Sequence, residues 1–368
     1  MEPIAAMILL VPILLPAVKL LQIDLVYFGL VTVLALVLGL LHPKEKRMAI
    51  EKIHPAVTRI TTPFDKTGTV FLYLVQGERV ALIDTGAADS PDTVLQGALA
   101  EMRLSFSGVD LILNTHAHLD HAGGNLGTKR RSQAPIHVHA GDLAMAQSTE
   151  AQVEFHCGPL RALEFPMDAV AERETHVRHN AGEPGGADIL LKDGDKIDLG
   201  SGVALRVIHT PGHTPGHVTF FWEAEGIAFT GDAVQGQGAR PGSYPYYFDA
   251  PAYRRSLARL AAADPRVLCL GHAFHGGTLL NWPTRRGADA TAFLHASQTV
   301  ADTMHRAVAG VLRRLPSASK REIALAALDD LLYEVPQLRH RKTGMPLLAG
   351  PTLLAHMVAA QAGTYPES

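Results

Sequence analysis

Asn114-Thr115-His116-Ala117-His118-Leu119-Asp120-His121-Ala122-Gly123-Gly124 is the stretch on which the reading of this chain turns. Three histidines and one aspartate fall within six residues, directly after residues 109–114, an apolar run that reads as a buried strand. On a loop, His116 and His118 can aim their rings to one side while Asp120 and His121 reach a second point nearby. Neutral imidazoles and a carboxylate suit Zn²⁺, and the same ligand types also accept Fe or Mn. Matching pieces lie far along the chain: Thr210-Pro211-Gly212-His213-Thr214-Pro215-Gly216-His217, Thr230-Gly231-Asp232 and Leu270-Gly271-His272. Each follows or joins expected strands, so all can gather along one sheet edge. Any one of these histidines, taken alone, is an ordinary turn residue; the ordered set at successive strand ends is not.

The set resembles the metallo-β-lactamase-fold hydrolase superfamily, on its hydroxyacylglutathione hydrolase and lactonase branch. The His-x-His-x-Asp-His signature is complete as His116, His118, Asp120 and His121, and the Pro-Gly-His-Thr, Gly-Asp and Gly-His elements match, as does the early turn Leu82-Ile83-Asp84-Thr85-Gly86. The resemblance covers roughly residues 52–285 and implies an α/β fold, a four-layer αβ/βα sandwich. It implies one Zn²⁺ held by His116, His118 and His213, a second held by Asp120, His121 and His272, and Asp232 bridging them. Asp84 would be buried and orient the loop without touching metal. Classical β-lactamases carry Cys where this chain has Asp232, which favours the branch named above. Two such ions about 3.5–4 Å apart hold a hydroxide between them and bring the pKa of water toward about 7. Asp120 would serve as ligand and as the acceptor that orients this hydroxide.

Other residues around these motifs are candidates of lower specificity. His275 follows His272 across a Gly-rich turn and can face a substrate, and Tyr244, Tyr246 and Tyr247 sit on a loop at the expected cleft rim. A tyrosine there, Tyr244 foremost, can protonate a leaving alkoxide or bond an oxyanion, or else form an apolar rim. His209 is either a support for a ligand or structural, and His217 reads as packing or ligand support.

Residues 70–76 and 79–84 form apolar runs joined by Gly77-Glu78, a hairpin pattern. Ser90 is expected to cap a helix with Pro91 in its first turn, running to about Arg103, and Asp249 to cap another to Ala262. Short strands are expected at 136–139, 203–208, 217–222, 227–230 and 267–270, a layered α/β domain over 48–285. Residues 164–188 are polar and read as a loop over the sheet, with Arg173, His176, Arg178 and His179 facing solvent or an anionic substrate. From 286 to 368 the pattern is helical: 289–315, a capping box at Ser319–Glu322 opening a helix to Tyr333, and a last helix near 352–361. This C-terminal helical subdomain is reminiscent of winged-helix-like tails.

Residues 1–47 read as a membrane-embedded segment. Positions 25–41 are 17 residues without a charge, and extension to Leu20 gives 22, the length that spans a hydrocarbon core about 30 Å thick. A signal peptide fits poorly, because the start carries Glu2 and the apolar region is too long. The earlier run 4–18, broken by Pro12 and Pro16, fits a second short span or an interfacial segment, so that one transmembrane segment and a hairpin both stay open. Lys44, Lys46 and Arg47 place the main domain on the cytoplasmic side of an inner or plasma membrane.

The 368 residues carry 33 Lys+Arg against 36 Asp+Glu, so no general pull toward nucleic acid exists. Two cysteines, Cys157 and Cys269, exclude a disulfide framework and a Cys-rich zinc module. The expected function is therefore a membrane-tethered dinuclear zinc hydrolase of a small-molecule ester, thioester or lactone. A nuclease of the same fold is the alternative, with local charge at Lys129-Arg130-Arg131, Arg285-Arg286, Arg313-Arg314 and Arg339-His340-Arg341-Lys342. A non-enzymatic membrane adaptor with a structural metal, and a di-iron redox enzyme, complete the field.

Overall fold

Strands that are apolar on successive residues have to be covered on both faces. The computed structural model describes residues 50–64, 68–239, 243–276, 282–334 and 345–366, and it meets this demand with two facing sheets. The first has seven strands in chain order: β1 (Ile50–His54), β2 (Val57–Phe64), β3 (Gly68–Gln76), β4 (Val80–Ile83), β5 (Leu111–Leu113), β6 (Ile136–His139) and β7 (Ile189–Leu191). Pairing is antiparallel through β4 and parallel from β4 to β7. The second has six: β8 (Lys196–Gly200), β9 (Val203–His209), β10 (Val218–Trp222), β11 (Ile227–Gly231), β12 (Val267–Leu270) and β13 (Thr284–Arg286). Only β11 and β12 pair in parallel there.

Period-two alternation divides each strand between two cores. Phe71, Tyr73 and Val75 meet Val218, Phe220, Trp222, Ile227, Phe229 and Cys269 between the sheets. Phe221, Ala228, Leu268 and Leu270 turn the other way, onto the outer helices. The two sheets are also tied by polar bonds, since the Tyr73 hydroxyl donates to the Leu270 carbonyl at 2.7 Å and the Phe71 N–H to the Gly271 carbonyl at 2.8 Å.

The helices are α1 (Gln96–Glu101), α2 (Leu119–Ala122), α3 (Asn125–Ser132), α4 (Leu143–Gln147), α5 (Thr149–Ala162), α6 (Met167–Ala181), α7 (Ala250–Ala262), α8 (Ala288–Arg314), α9 (Lys320–Glu334) and α10 (Ala349–Ala362). Asp249 caps α7 through Ala252, and Ser319 and Glu322 form the reciprocal capping box of α9. Ser90 differs from expectation: it is buried, itself helical, and its side chain caps nothing. The stretch expected as an open loop over 164–188 is largely α6, whose Val170 and Val177 are buried beneath a polar outer face. Two buried side chains in a helix of 15 residues leave only a weak periodic signal in the sequence.

Helices α8 to α10 share a core with the sandwich. Met304, Val308, Leu331, Leu353 and Met357 join Leu160 of α5, Leu163 just after it, and Val170 and Val177 of α6 in one apolar cluster. Residues from Ile50 onward form a single unit. The membrane-embedded segment expected over 1–47 lies outside the described residues; among the described ones, no helix is long and apolar enough to cross a membrane.

Helix α10 also reaches the loop that borders the site. Thr352 Oγ1 donates to the Pro245 carbonyl at 2.8 Å and accepts the Tyr247 N–H at 3.0 Å, while the Tyr247 hydroxyl donates to His356 Nε2 at 2.7 Å. Tyr247→Phe leaves that buried nitrogen without a donor and is expected to cost about 1–3 kcal/mol in urea unfolding. His356 is buried, and burial with a smaller push from His305 lowers its pKa to about 3. An unfolded histidine titrates near 6.5, so below that pH the unfolded chain binds a proton that the native chain refuses. The stability held above pH 6.5 is thus lost as pH falls toward 3. His356→Gln should reduce the slope of stability against pH between 5 and 6 by about 1 kcal/mol per pH unit, read from urea unfolding at stepped pH.

Candidate metal centre

Strand ends place the chemistry. Asp84 follows β4, the His116–His121 segment follows β5, His213 follows β9, Asp232 follows β11 and His272 follows β12, and all stand at the carboxyl ends of their strands. Parallel pairing of β4 with β5 and of β11 with β12 sets these ends side by side. The seven expected ligands do come together: His116, His118 and His213 form one group, His116, His121 and Asp232 a second, and Asp120, His121 and His272 a third, with ligand atoms inside each group within 4.8 Å of one another.

Hydrogen bonds decide which way the rings turn. His213 Nδ1 donates to the Tyr246 carbonyl, His272 Nδ1 to the Thr69 carbonyl and His121 Nδ1 to Asp84 Oδ2. His116 Nδ1 donates to Thr115 Oγ1, whose own proton goes to Asp84 Oδ2 at 2.8 Å. Each of these four rings therefore turns Nε2 inward. His116 and His213 Nε2 stand 3.1 Å apart, His121 and His272 Nε2 3.4 Å apart, and His272 Nε2 lies 3.1 Å from Asp120 Oδ2. Asp232 Oδ2 is 3.5 Å from both His213 and His272, and its Oδ1 is 3.6 Å from His121.

Ligands at 2.0–2.1 Å around a tetrahedral ion stand about 3.3 Å from each other, so these spacings are those of donor sets around cations. Asp232 Oδ1 and His118 Nε2 are buried and have no hydrogen-bond partner in the protein. Orphaned buried acceptors are costly, and the residues present fit a metal pair. The local electrostatics agree. Burial, reinforced by neighbouring rings, drives His116 and His118 well below the usual histidine range. Burial also opposes a charge on His121, yet Asp84, Asp120 and Asp232 outweigh it and lift its pKa to about 10. That cluster of carboxylates calls for positive charge at this point.

Supporting residues hold the loops in register. Asp84, with a left-handed φ of 59°, accepts the Thr115 N–H at 2.8 Å besides the two bonds above, and so joins β4 to the histidine loop. His217 accepts the Asp232 N–H on Nε2 at 3.1 Å and holds the Thr210 hydroxyl on Nδ1 at 2.9 Å. His209 bonds the Pro215 carbonyl at 2.9 Å and stacks on His139, so it braces the turn without meeting a ligand. Gly271 approaches so closely that a Cβ there would meet Asp232 Oδ1 at 2.3 Å.

Two supports were not visible in the motifs. Asp142 accepts from Ala117 N at 3.0 Å, Thr214 Oγ1 at 2.7 Å and Gly216 N at 2.6 Å, which pins the two histidine turns to each other. Burial lifts its carboxyl to about 6 against those three bonds. Gln235 accepts the Tyr246 N–H at 2.6 Å and donates to the Asp232 and Tyr246 carbonyls, both at 2.9 Å. No spacing rule marks a lone Asp or Gln whose partners are backbone atoms of distant loops.

The centre forms the floor of a cavity of about 270 Å³. Phe64, Leu119, Phe274 and Leu348 supply apolar wall, and Arg173, His156 and Tyr246 a polar corner. Tyr244 lines the same cavity and is buried. Tyr247 points away from it, stacked on Tyr253 with ring centroids 4.0 Å apart. His275 is not among the residues lining the cavity; its backbone N–H and C=O bond Gly238 and Gln237.

Residues 65–272, more than half of the chain, match the model of the Metallo-beta-lactamase superfamily. Residues 1–43 match that of the tripartite ATP-independent periplasmic transporter, DctM component. A hydroxyacylglutathione hydrolase of Methylococcus capsulatus is 31% identical over 189 residues, 50% of this chain and 57% of that protein. The probable metallo-hydrolase YqjP of Bacillus subtilis is 29% identical over 235 residues, 58% of this chain and 70% of that one. The chain thus spans little more than half the length of the first of these relatives. A metallo-beta-lactamase family protein from Thermus thermophilus superposes with a TM-score of 0.62 at 25% identity, over 85% of this chain and 95% of that one. A beta-lactamase domain protein from Burkholderia ambifaria shares the fold, with a TM-score of 0.57 at 19% identity over 86% and 89% of the two chains.

Asp84→Asn exchanges an acceptor for a donor opposite Thr115 and His121. Metal affinity, read by competition with a chromophoric chelator, is expected to fall 10–100-fold with the fold retained by circular dichroism. Gly271→Ala should lower the metal content per chain measured by mass spectrometry, because Asp232 has to give way.

Proposed function

The chain belongs to the metallo-beta-lactamase superfamily, and on that premise we propose that it is a hydrolase that holds two zinc ions and cleaves an ester or thioester, a lactone among them, in a small metabolite. The observation that carries this reading is the set of seven inward ligands on the floor of a cavity of small-molecule size with apolar walls. His116, His118, His213, Asp120, His121, His272 and Asp232 would hold the two ions, which when bound would supply Lewis acidity toward water and toward a carbonyl oxygen. Asp120 holds the attacking water: its carboxylate lies on the cavity floor among the ligand atoms, with Oδ2 3.1 Å from His272 Nε2. It therefore accepts a proton from water as a hydrogen bond and orients the oxygen. Tyr246 presents a phenol that burial keeps protonated, a donor at the polar corner, and Tyr244 closes the rim beside it. Phe64, Leu119, Phe274 and Leu348 exclude bulk water from the acyl group. The names of the hydroxyacylglutathione hydrolases among the relatives support a thioester first.

A nucleic acid substrate fits less well, because the basic run at residues 129–131 is neutralised. Lys129 pairs with Asp188, Arg130 with Glu183 and Arg131 with Asp92. Arg285 is buried against Phe293 and Asp289, and Arg314 pairs with Asp330; residues 339–342 lie outside the described ones. The uncharged run at 25–41 and the cations Lys44, Lys46 and Arg47 support a membrane anchor with the hydrolase on the cytoplasmic side.

Zinc-loaded full-length protein, assayed on ester, lactone and acylglutathione panels beside RNA, should turn over at least one member of the first three. Asp120→Asn should lower kcat on that substrate by about 10²–10⁴. RNA cleavage with no turnover across the panels would reverse the assignment.

A further inference from the structure

The polar corner of the cavity holds a cation that the hydrolytic reading leaves unused. Arg173 projects from α6 into the cavity wall and is the single Lys or Arg among the described residues that line it. Its neighbours on the helix behave differently: Glu174 pairs with Arg161 and Arg178 with Glu150, all outside the cavity. Among the described residues Arg173 makes no ion pair with a carboxylate. Its Nη2 lies 3.4 Å from His156 Nδ1, a weak contact, and His156 Nδ1 in turn stands 2.8 Å from the Tyr246 hydroxyl. The His156 and Tyr246 rings stack with an interplanar angle of 10°, and the His156 ring centroid lies 4.5 Å from that of the ligand His118. His156 is 2% exposed, and its Nε2 is buried without a hydrogen-bond partner.

A guanidinium facing an enclosed, mostly apolar space, with an unsatisfied imidazole nitrogen and a phenol beside it, is an incomplete hydrogen-bonding site. We propose that Arg173, with Tyr246 and His156, binds a carboxylate of the substrate, so that the molecule hydrolysed is an ester or thioester with an apolar body and one free carboxylate. The guanidinium fork matches a planar carboxylate with two parallel N–H bonds. Among the described lining residues Arg173 is the one Lys or Arg side chain, and its single charge matches that of a carboxylate. Phe64, Leu119, Phe274 and Leu348 cover the carbon skeleton between that group and the metal floor. This assignment rests on the hydrolase reading for its chemistry but on Arg173 for its recognition, and the two separate experimentally.

The test uses zinc-loaded full-length protein and a matched pair of thioesters: the mono-S-phenyl thioester of adipic acid, and the same compound with its second carboxyl methylated. In the parent protein the carboxylate form is expected to have a kcat/KM about 10-fold or more above the methylated form. Arg173→Met should collapse that ratio by about 10- to 100-fold, mainly through KM, and Arg173→Lys should fall between. A parent ratio near one, or an equal loss on both substrates in Arg173→Met, would overturn the assignment. Calorimetric binding of hexanoate and hexanamide supplies a readout that needs no turnover. Hexanoate binding weakened about 10-fold by Arg173→Met, with neither thioester cleaved, would uphold the carboxylate site and sink the hydrolase reading. Equal hexanoate affinity in both proteins, or Arg173-dependent binding of inorganic phosphate tighter than that of hexanoate, would refute the carboxylate site itself.

Discussion

Ring nitrogens and carboxylate oxygens converge to 3.1–3.6 Å at the centre, and the fold has to hold them there. It does so from behind. Four of the inward Nε2 atoms have an outward Nδ1 bonded to an oxygen: Asp84, the adjacent Thr115, and the carbonyls of Thr69 and Tyr246. None of those partners is free to follow a ring that swings away, because each belongs to a strand, a strand end or a loop pinned to a helix. The spacing of the ligand atoms is thereby set by a rigid frame.

The frame extends well past the ligands. Asp84 bonds both Thr115 and His121, Asp142 bonds the turns carrying His116, His118 and His213, and His217 holds the backbone of Asp232. Gln235 and Thr352 then fix the loop whose carbonyl orients His213. A contact as remote as α10 therefore bears on the angle of one metal-facing ring. Such arrangements are the outer partners that tune affinity at metal sites.

The centre was largely legible because its ligands are confined to short motifs at strand ends, where a residue type alone states its chemistry. The strands themselves were legible because burial on both faces makes them uninterrupted apolar runs, as in Val218–Trp222 and Ile227–Gly231. Asp142, Gln235 and His156 were not, since what they touch is set by tertiary approach. Helix α6 was missed for a related reason: Val170 and Val177 are its only fully buried side chains, and its charged outer face looks like a loop. The same helix carries Arg173 into the cavity, so reading it as an exposed loop left open whether that charge met solvent or substrate. Strands β1 and β2 lacked a turn signal of the Gly-containing kind that announced β3 and β4.

The bonds from Thr352 and His356 to the Pro245–Tyr247 loop have a temporal side. A ribosome releases the chain from its N-terminal side onward, so the histidines that follow β5 emerge long before the helix that braces His213. The half-made polypeptide exposes strong ligands with nothing yet to enforce their angles. The angle of His213 is thus enforced in full only when α10, made well after that histidine, docks on the loop.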